Sequence, residues 1–223
     1  MATPTIPEVR AATRAAWRRW LATHHASSDT IWLVYPKKDT AITVRGERLT
    51  YQAIVEEALC FGWIDSVPRK RTDGWAMLRV SPRKPRSVWS AINKAHVARL
   101  TAAGKMAPAG LAAVAAAQQN GSWTRIDSAE ALEMPEDLTK ALAKRPVAKR
   151  HFDAFPPGSK KIILQWITTA KKPETRAARI ATTVSEAAEN RRANHARQPL
   201  SAAPRAAQNR APAPAAPDRR RRG

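Results

Sequence analysis

The run EEALCFGWIDSVPRK, Glu56 to Lys70, sets a cysteine and an aspartate five positions apart, a spacing that could pair a nucleophile with an acid. Cysteine reacts as the thiolate, which positive surroundings or a helix N-terminus supply. Cys60 has neither. Ile54, Val55, Ala58 and Leu59 predict a helix that starts after Thr50 and stops at Gly62, so the thiol falls in its last turn, where the macrodipole is negative. Glu56 and Glu57, four and three residues earlier, push a thiol pKa up as well. Cys60 therefore reads as a structural thiol.

Asp65 carries more. A strand beginning at Trp63 turns Trp63 and Asp65 to one face, where a carboxylate beside an indole needs a cation or a backbone donor. Cations follow in SPRKPRSVWSAIN: Arg83, Lys84 and Arg86 stand in a loop pinned by Pro82 and Pro85, leading to a helix expected to be capped by Ser87. Loop cations next to free helix N–H groups make an anion site. Ser90 and Asn93, three apart, lie on one edge of that helix beside Trp89, Ile92 and Leu100. The expected ligand pocket is Trp63, Asp65, Arg83, Lys84, Ser87, Trp89, Ser90 and Asn93. The same residues also read as an Asp65–arginine ion pair with a capped helix, Trp89 in the core and Asn93 holding the loop.

A second anion clamp is expected from AKKPETRAARI, where Arg176 and Arg179 are three apart and Lys171 is close by. Its plainer reading is helix capping and surface solvation. None of the five histidines has a metal-ligand spacing, and neither a Gly-rich phosphate loop nor a nucleophile elbow is present. Glu56/Glu57 and Glu136/Asp137 are adjacent pairs, which point to different sides of a helix and make poor acid–base partners. No catalytic residue, metal site or cofactor is assigned.

These residues need elements to hold them. The pattern gives a helix over RAAWRRWLATHH, a strand over TIWLVYPKK with AITV as a possible partner, and a hairpin turning at Asp73-Gly74 whose first arm is an edge or broken at Pro68. Further helices run from Ser87 to Ala103, from Pro108 to about Gln119, and from Ser159, while Pro135, Pro146 and Pro173 each mark a first turn. The fold class is α+β, a small antiparallel sheet covered by a majority of helices. Residues 1–190 form one domain, and 191–223, rich in Ala, Pro and Arg, form a disordered basic tail.

The chain has 223 residues, a formal net charge of +21 and one cysteine. The lone cysteine excludes an internal disulfide and fits a reducing compartment. No apolar run reaches bilayer-spanning length, and the arginines among the first twenty residues argue against a secretory signal. The charge suits an anionic partner: a small anion, an acidic protein surface or, through the tail, nucleic acid bound weakly and in a salt-sensitive way.

IWLVYPKK, LTYQAIVEEALCFGWIDS, SPRKPRSVWSAINKAHVARLTAAGKMAPAGLAAVAAAQQNGSW and AKKPETRAARI resemble, in that order, the YdeI/OmpD-associated or bacteriocin-protection family, over roughly residues 12–190. Positions carrying the resemblance include Gly62, Trp63, Ile64, Asp65, Pro82, Arg83, Lys84, Ser87, Trp89, Ser90, Asn93, Gly104, Met106, Lys171, Pro173, Arg176 and Arg179. Val67-Pro68 after Ser66 and the C-terminal extension depart from it. The resemblance implies a cytoplasmic bacterial protein concerned with stress and antimicrobial-peptide resistance, with a possible envelope-protein (porin) association. It supplies no reaction and no catalytic residues. The leading expectation is a non-enzymatic protein binding an anionic ligand or partner. The alternatives are a nucleic-acid binder and an enzyme using Asp65 as base in the Arg83 pocket.

Overall fold

In the computed structural model, which describes residues 5–38 and 40–195, strand β1 (Glu8–Arg10) leads into helix α1 (Arg14–His24). Thr13 caps α1 by accepting from the Ala16 N–H at 3.1 Å. The helix crosses back so that β2 (Ile31–Pro36) runs parallel to β1, with Val9 opposite Leu33. Parallel neighbours require such a crossover. Thr50 then caps α2 (Tyr51–Cys60) by accepting from the Ala53 N–H at 3.2 Å. Gly62, at φ +73°, turns the chain into β3 (Trp63–Lys70). A Cβ there would stand 3.1 Å from the Ala109 carbonyl oxygen, so both the backbone angle and the packing favour glycine.

β3 and β4 (Trp75–Pro82) form the hairpin expected at Asp73-Gly74, and the sheet order is β1-β2-β4-β3. β3 is thus an edge strand, with an irregularity between Asp65 and Pro68 where proline has no N–H to give. The sheet is mixed, not purely antiparallel, because the three residues of β1 add a parallel edge. Ala41–Val44 form no strand. Arg48 instead donates to the Lys37 and Ile42 carbonyls at 2.8 and 2.7 Å.

Six further helices were expected in outline, and seven are present among the described residues: α3 (Ala91–Ala102), α4 (Pro108–Gln119), α5 (Asp127–Glu130), α6 (Glu136–Ala143), α7 (Pro146–Ala154), α8 (Pro157–Thr168) and α9 (Pro173–Ala188). The α+β class holds. Helix α3 is capped by Ser90, not Ser87: Ser90 Oγ accepts from the Asn93 N–H at 3.3 Å, whereas Ser87 donates its N–H to the Lys84 carbonyl in a turn.

Two large hydrophobic cores result. One face of the sheet packs on α1 and α2 through Trp17, Leu21, Leu33, Ile54, Trp63 and Val80. The second core lies among α5–α9 and holds Leu138, Phe152, Ile163, Ile167 and Ile180. A smaller cluster of Val55, Leu59, Trp89, Val97 and Ala117 adjoins the first. Trp89 meets Trp123 at 5.0 Å between ring centroids, and Lys94 pairs with Asp127. Residues 191–195, assigned by composition to the tail, are folded: Arg191 pairs with Glu186 at 2.8 Å and Ala193 is buried in the second core. The rest of the expected tail, from 196, lies outside the described residues.

Candidate functional site

Arg83 follows β4 directly, and its N–H donates to the Gly62 carbonyl at 2.9 Å, which fixes where the side chain starts. The guanidinium turns inward over Trp89, 3.6 Å from the ring centroid. Nη1 donates to the Val88 carbonyl at 3.3 Å, while Nε and Nη2 are enclosed with no acceptor among the described residues. Burial draws its pKa down to about 10, with the Asp65 charge pulling the other way. A cavity of about 120 Å³ opens beside it, lined by Arg83, Lys84, Pro85, Trp89, Ala113 and Ala116. The two alanines come from α4 and leave room where longer side chains would fill it. Trp89 is fully buried and Lys84 exposed. A rigid indole wall, two buried donors and one exposed cation suit the binding of an oxyanion.

Asp65, Ser90 and Asn93 line a different cleft, of about 470 Å³, together with Tyr51, Gln52, Ile92 and His96. Asp65 Oδ2 accepts from the Tyr51 hydroxyl at 2.8 Å. Burial, then that hydrogen bond, push the Tyr51 phenol up to about 12. Trp63 is fully buried in the first core and donates its indole N–H to the His25 carbonyl at 3.1 Å. Trp63 and Ser87 line neither cavity. The eight residues expected in one pocket thus divide into two cavities, one core position and one turn. The cationic loop and the carboxylate do not share a cavity.

The expected clamp is occupied by the protein itself. Arg176 forms a two-point pair with Asp137, at 2.6 and 3.0 Å, and Arg179 donates to the Trp166 carbonyl at the end of α8. Both guanidiniums are engaged in joining α9 to α6 and α8. Lys171 instead lines a cleft of about 390 Å³ with Arg86 and Arg125.

The strongest electrostatic feature escaped the sequence. Glu56 and Glu57 are 3% and 2% exposed, yet both are ionic partners. Arg14 bridges them, Nη2 to Glu56 at 2.9 Å and Nε to Glu57 at 2.7 Å. Arg18 reaches Glu57 at 2.6 Å and Arg99 reaches Glu56 at 2.5 Å. Burial raises the Glu56 pKa, but the Gln52 hydrogen bond and the Arg14 and Arg99 charges outweigh it, so the carboxyl lies below its usual range. Arg14 and Arg18 are held above theirs: burial works downward, and Glu57 overcomes it. Outside this network lies a cleft of about 550 Å³, to which Arg18, Arg19, Arg45 and Lys105 contribute. The signal for it was Arg14 and Arg18 at i, i+4 on α1, but their partners lie far away in the sequence. Cys60, beside Glu57, is fully buried, and its thiol is pushed up first by burial and then by the Glu57 charge, which leaves it a poor nucleophile.

Among the described residues, no three His, Cys, Asp or Glu side chains gather as a metal site, and no helix is long and apolar enough to cross a membrane. Residues 131–190 match the family described as bacteriocin-protection, YdeI or OmpD-associated. Residues 9–113 match a domain of unknown function (DUF8412). The resemblance read from the sequence is therefore present over α6–α9, where AKKPETRAARI lies. The three earlier blocks begin within the other match, which also contains Arg83, Trp89 and Asp65. Comparison with curated proteins and with solved structures returns no match.

Proposed function

We propose that this chain is a non-catalytic binding protein that takes an oxyanion, a phosphate or carboxylate group, against Arg83 and Lys84 on the wall made by Trp89. One observation carries the reading: Arg83 Nε and Nη2 are enclosed without an acceptor among the described residues, beside an open cavity of about 120 Å³. A buried donor left unpaired costs about 1–3 kcal/mol, and a hydrogen bond to a charged group returns a similar amount. An anion in the cavity offsets that cost and also balances a buried charge that no carboxylate among the described residues contacts. The bacteriocin-protection wording of the family matched by residues 131–190 is what suggests a protective role. Asp65, engaged by Tyr51, is not placed as a base for this cavity.

The test is calorimetry of the full chain with inorganic phosphate and with acetate, at constant ionic strength in a chloride background. The reading expects saturable binding of at least one anion, weakened about tenfold or more by Arg83→Gln and less by Lys84→Ala. Neither anion binding better than chloride, or Arg83→Gln binding as wild type does, overturns it.

A further inference from the structure

The cleft of about 550 Å³ between the start of α1 and the loops around Arg45 and Lys105 has a charge pattern that the core network does not explain. Arg14 and Arg18 are committed to Glu57, at 2.7 and 2.6 Å. Arg18 also donates through Nη2 to the Lys105 backbone carbonyl at 2.9 Å, which holds the Lys105 segment against α1. Arg19, Arg45 and Lys105 are exposed, and their side chains form no hydrogen bond or ion pair among the described residues. Three uncommitted cations from three separate segments therefore face one cleft. Of the two carboxylates in its lining, Glu57 is neutralised by its arginines, and Glu47 stands 3.9 Å from Arg14 as a rim charge.

We infer that this cleft is a second site, distinct from the Arg83 cavity, for a compact polyanion bearing two or more adjacent phosphate groups. Size and lining set the class. The volume falls within the range of about 300–1,000 Å³ common to small-molecule sites. Apart from charged side chains the lining is threonine, alanine and glycine, with no aromatic ring on which a base could stack. A ligand here is held by charge and hydrogen bonding alone. Exposed cations hold a single phosphate weakly, whereas several linked charges engage Arg19, Arg45 and Lys105 together and add their contacts. Glu47 opposes the ligand from the rim.

The experiment is titration calorimetry of the full chain with inorganic phosphate, pyrophosphate and tripolyphosphate at two salt concentrations. Affinity rises about tenfold from phosphate to tripolyphosphate, the gain of two further exposed charge contacts, and falls with salt. The Arg19→Ser/Arg45→Ser/Lys105→Ser variant, which touches no part of the buried network, loses that step at unchanged melting temperature. Glu47→Gln strengthens binding, and Arg83→Gln leaves tripolyphosphate binding as it was. Equal affinity for the three anions overturns the inference. So does wild-type affinity in the triple variant, which places the binding outside this cleft. Loss of tripolyphosphate binding in Arg83→Gln overturns it too, whereas failure at Arg83 alone touches only the oxyanion reading.

Discussion

Replacing Arg14 by methionine removes the one cation shared by two neighbouring buried carboxylates, while keeping most of the side-chain length. Glu56 and Glu57 are 3% and 2% exposed, so neither can turn to water when Arg14 is lost. Breaking a buried pair costs about 3–5 kcal/mol. Arg18 remains on Glu57, and Arg99 and Gln52 remain on Glu56, which places the expected loss near the low end, about 3 kcal/mol. For a folded region of this size that is a fall of about 6–12 °C in Tm. Arg99→Met is the internal control. Its side chain is 54% exposed, so its pair with Glu56 contributes only about 0.2–1 kcal/mol.

The pH dependence separates this account from simple loss of packing. Glu56 has a folded pKa below the ordinary carboxylate value, so its contribution is present above that value and disappears as pH falls through the folded pKa. The gap between wild type and Arg14→Met therefore narrows below about pH 4. Thermal melts followed by circular dichroism between neutral pH and pH 3 measure it. A loss no larger than that of Arg99→Met, or a gap that persists unchanged in acid, refutes the reasoning.

Two other outcomes follow from the packing and the titrating groups. In α4, a Cβ on Gly110 would come 2.2 Å from the Cys60 carbonyl oxygen, so Gly110→Ala destabilises by about 2–3 kcal/mol in urea unfolding. Gly158→Ala in α8, where a Cβ meets nothing within 4 Å, stabilises by about 0.5–1 kcal/mol. Tyr51, held up to about 12 by burial and by Asp65, contributes stability that is complete below its ordinary pKa and is lost as pH rises towards 12. Asp65→Asn lowers that titration, read as tyrosinate absorbance, and a wild-type curve in the variant contradicts the hydrogen-bond assignment.

What could be read in the sequence was local. Thr50 as a cap, Gly62 as a helix stop, the Asp73-Gly74 turn and the Pro108, Pro146 and Pro173 starts depend on a few residues each, and all stand as expected. β1 was missed because three residues show no alternation and owe their strand to β2. Ser87 and Ser90 are both caps by type, and the non-helical Val88 and Trp89, with Ser90 itself extended at φ −69° and ψ 156°, decide for the later one. The divided pocket has a similar cause. Alternation places Trp63 and Asp65 on one face but says nothing of depth, and the indole sinks into the core while the carboxylate stays at the mouth of another cleft. Glu56 and Glu57 are adjacent and were expected on different sides of α2, yet the Arg14 guanidinium reaches both; α2 is buried along Ala53–Cys60, and each carboxylate meets arginines from α1 or α3. No spacing rule within one segment contains that arrangement.

The oxyanion reading of Arg83 is tested most directly by the side-chain Nε–H resonance of that residue in isotope-labelled full-length protein, assigned by its absence in Arg83→Lys. On titration with inorganic phosphate, the account predicts a saturable shift of this resonance and slower exchange of its proton with water. A resonance that stays in place while those of Arg19 and Arg45 move, or while none moves at all, contradicts it.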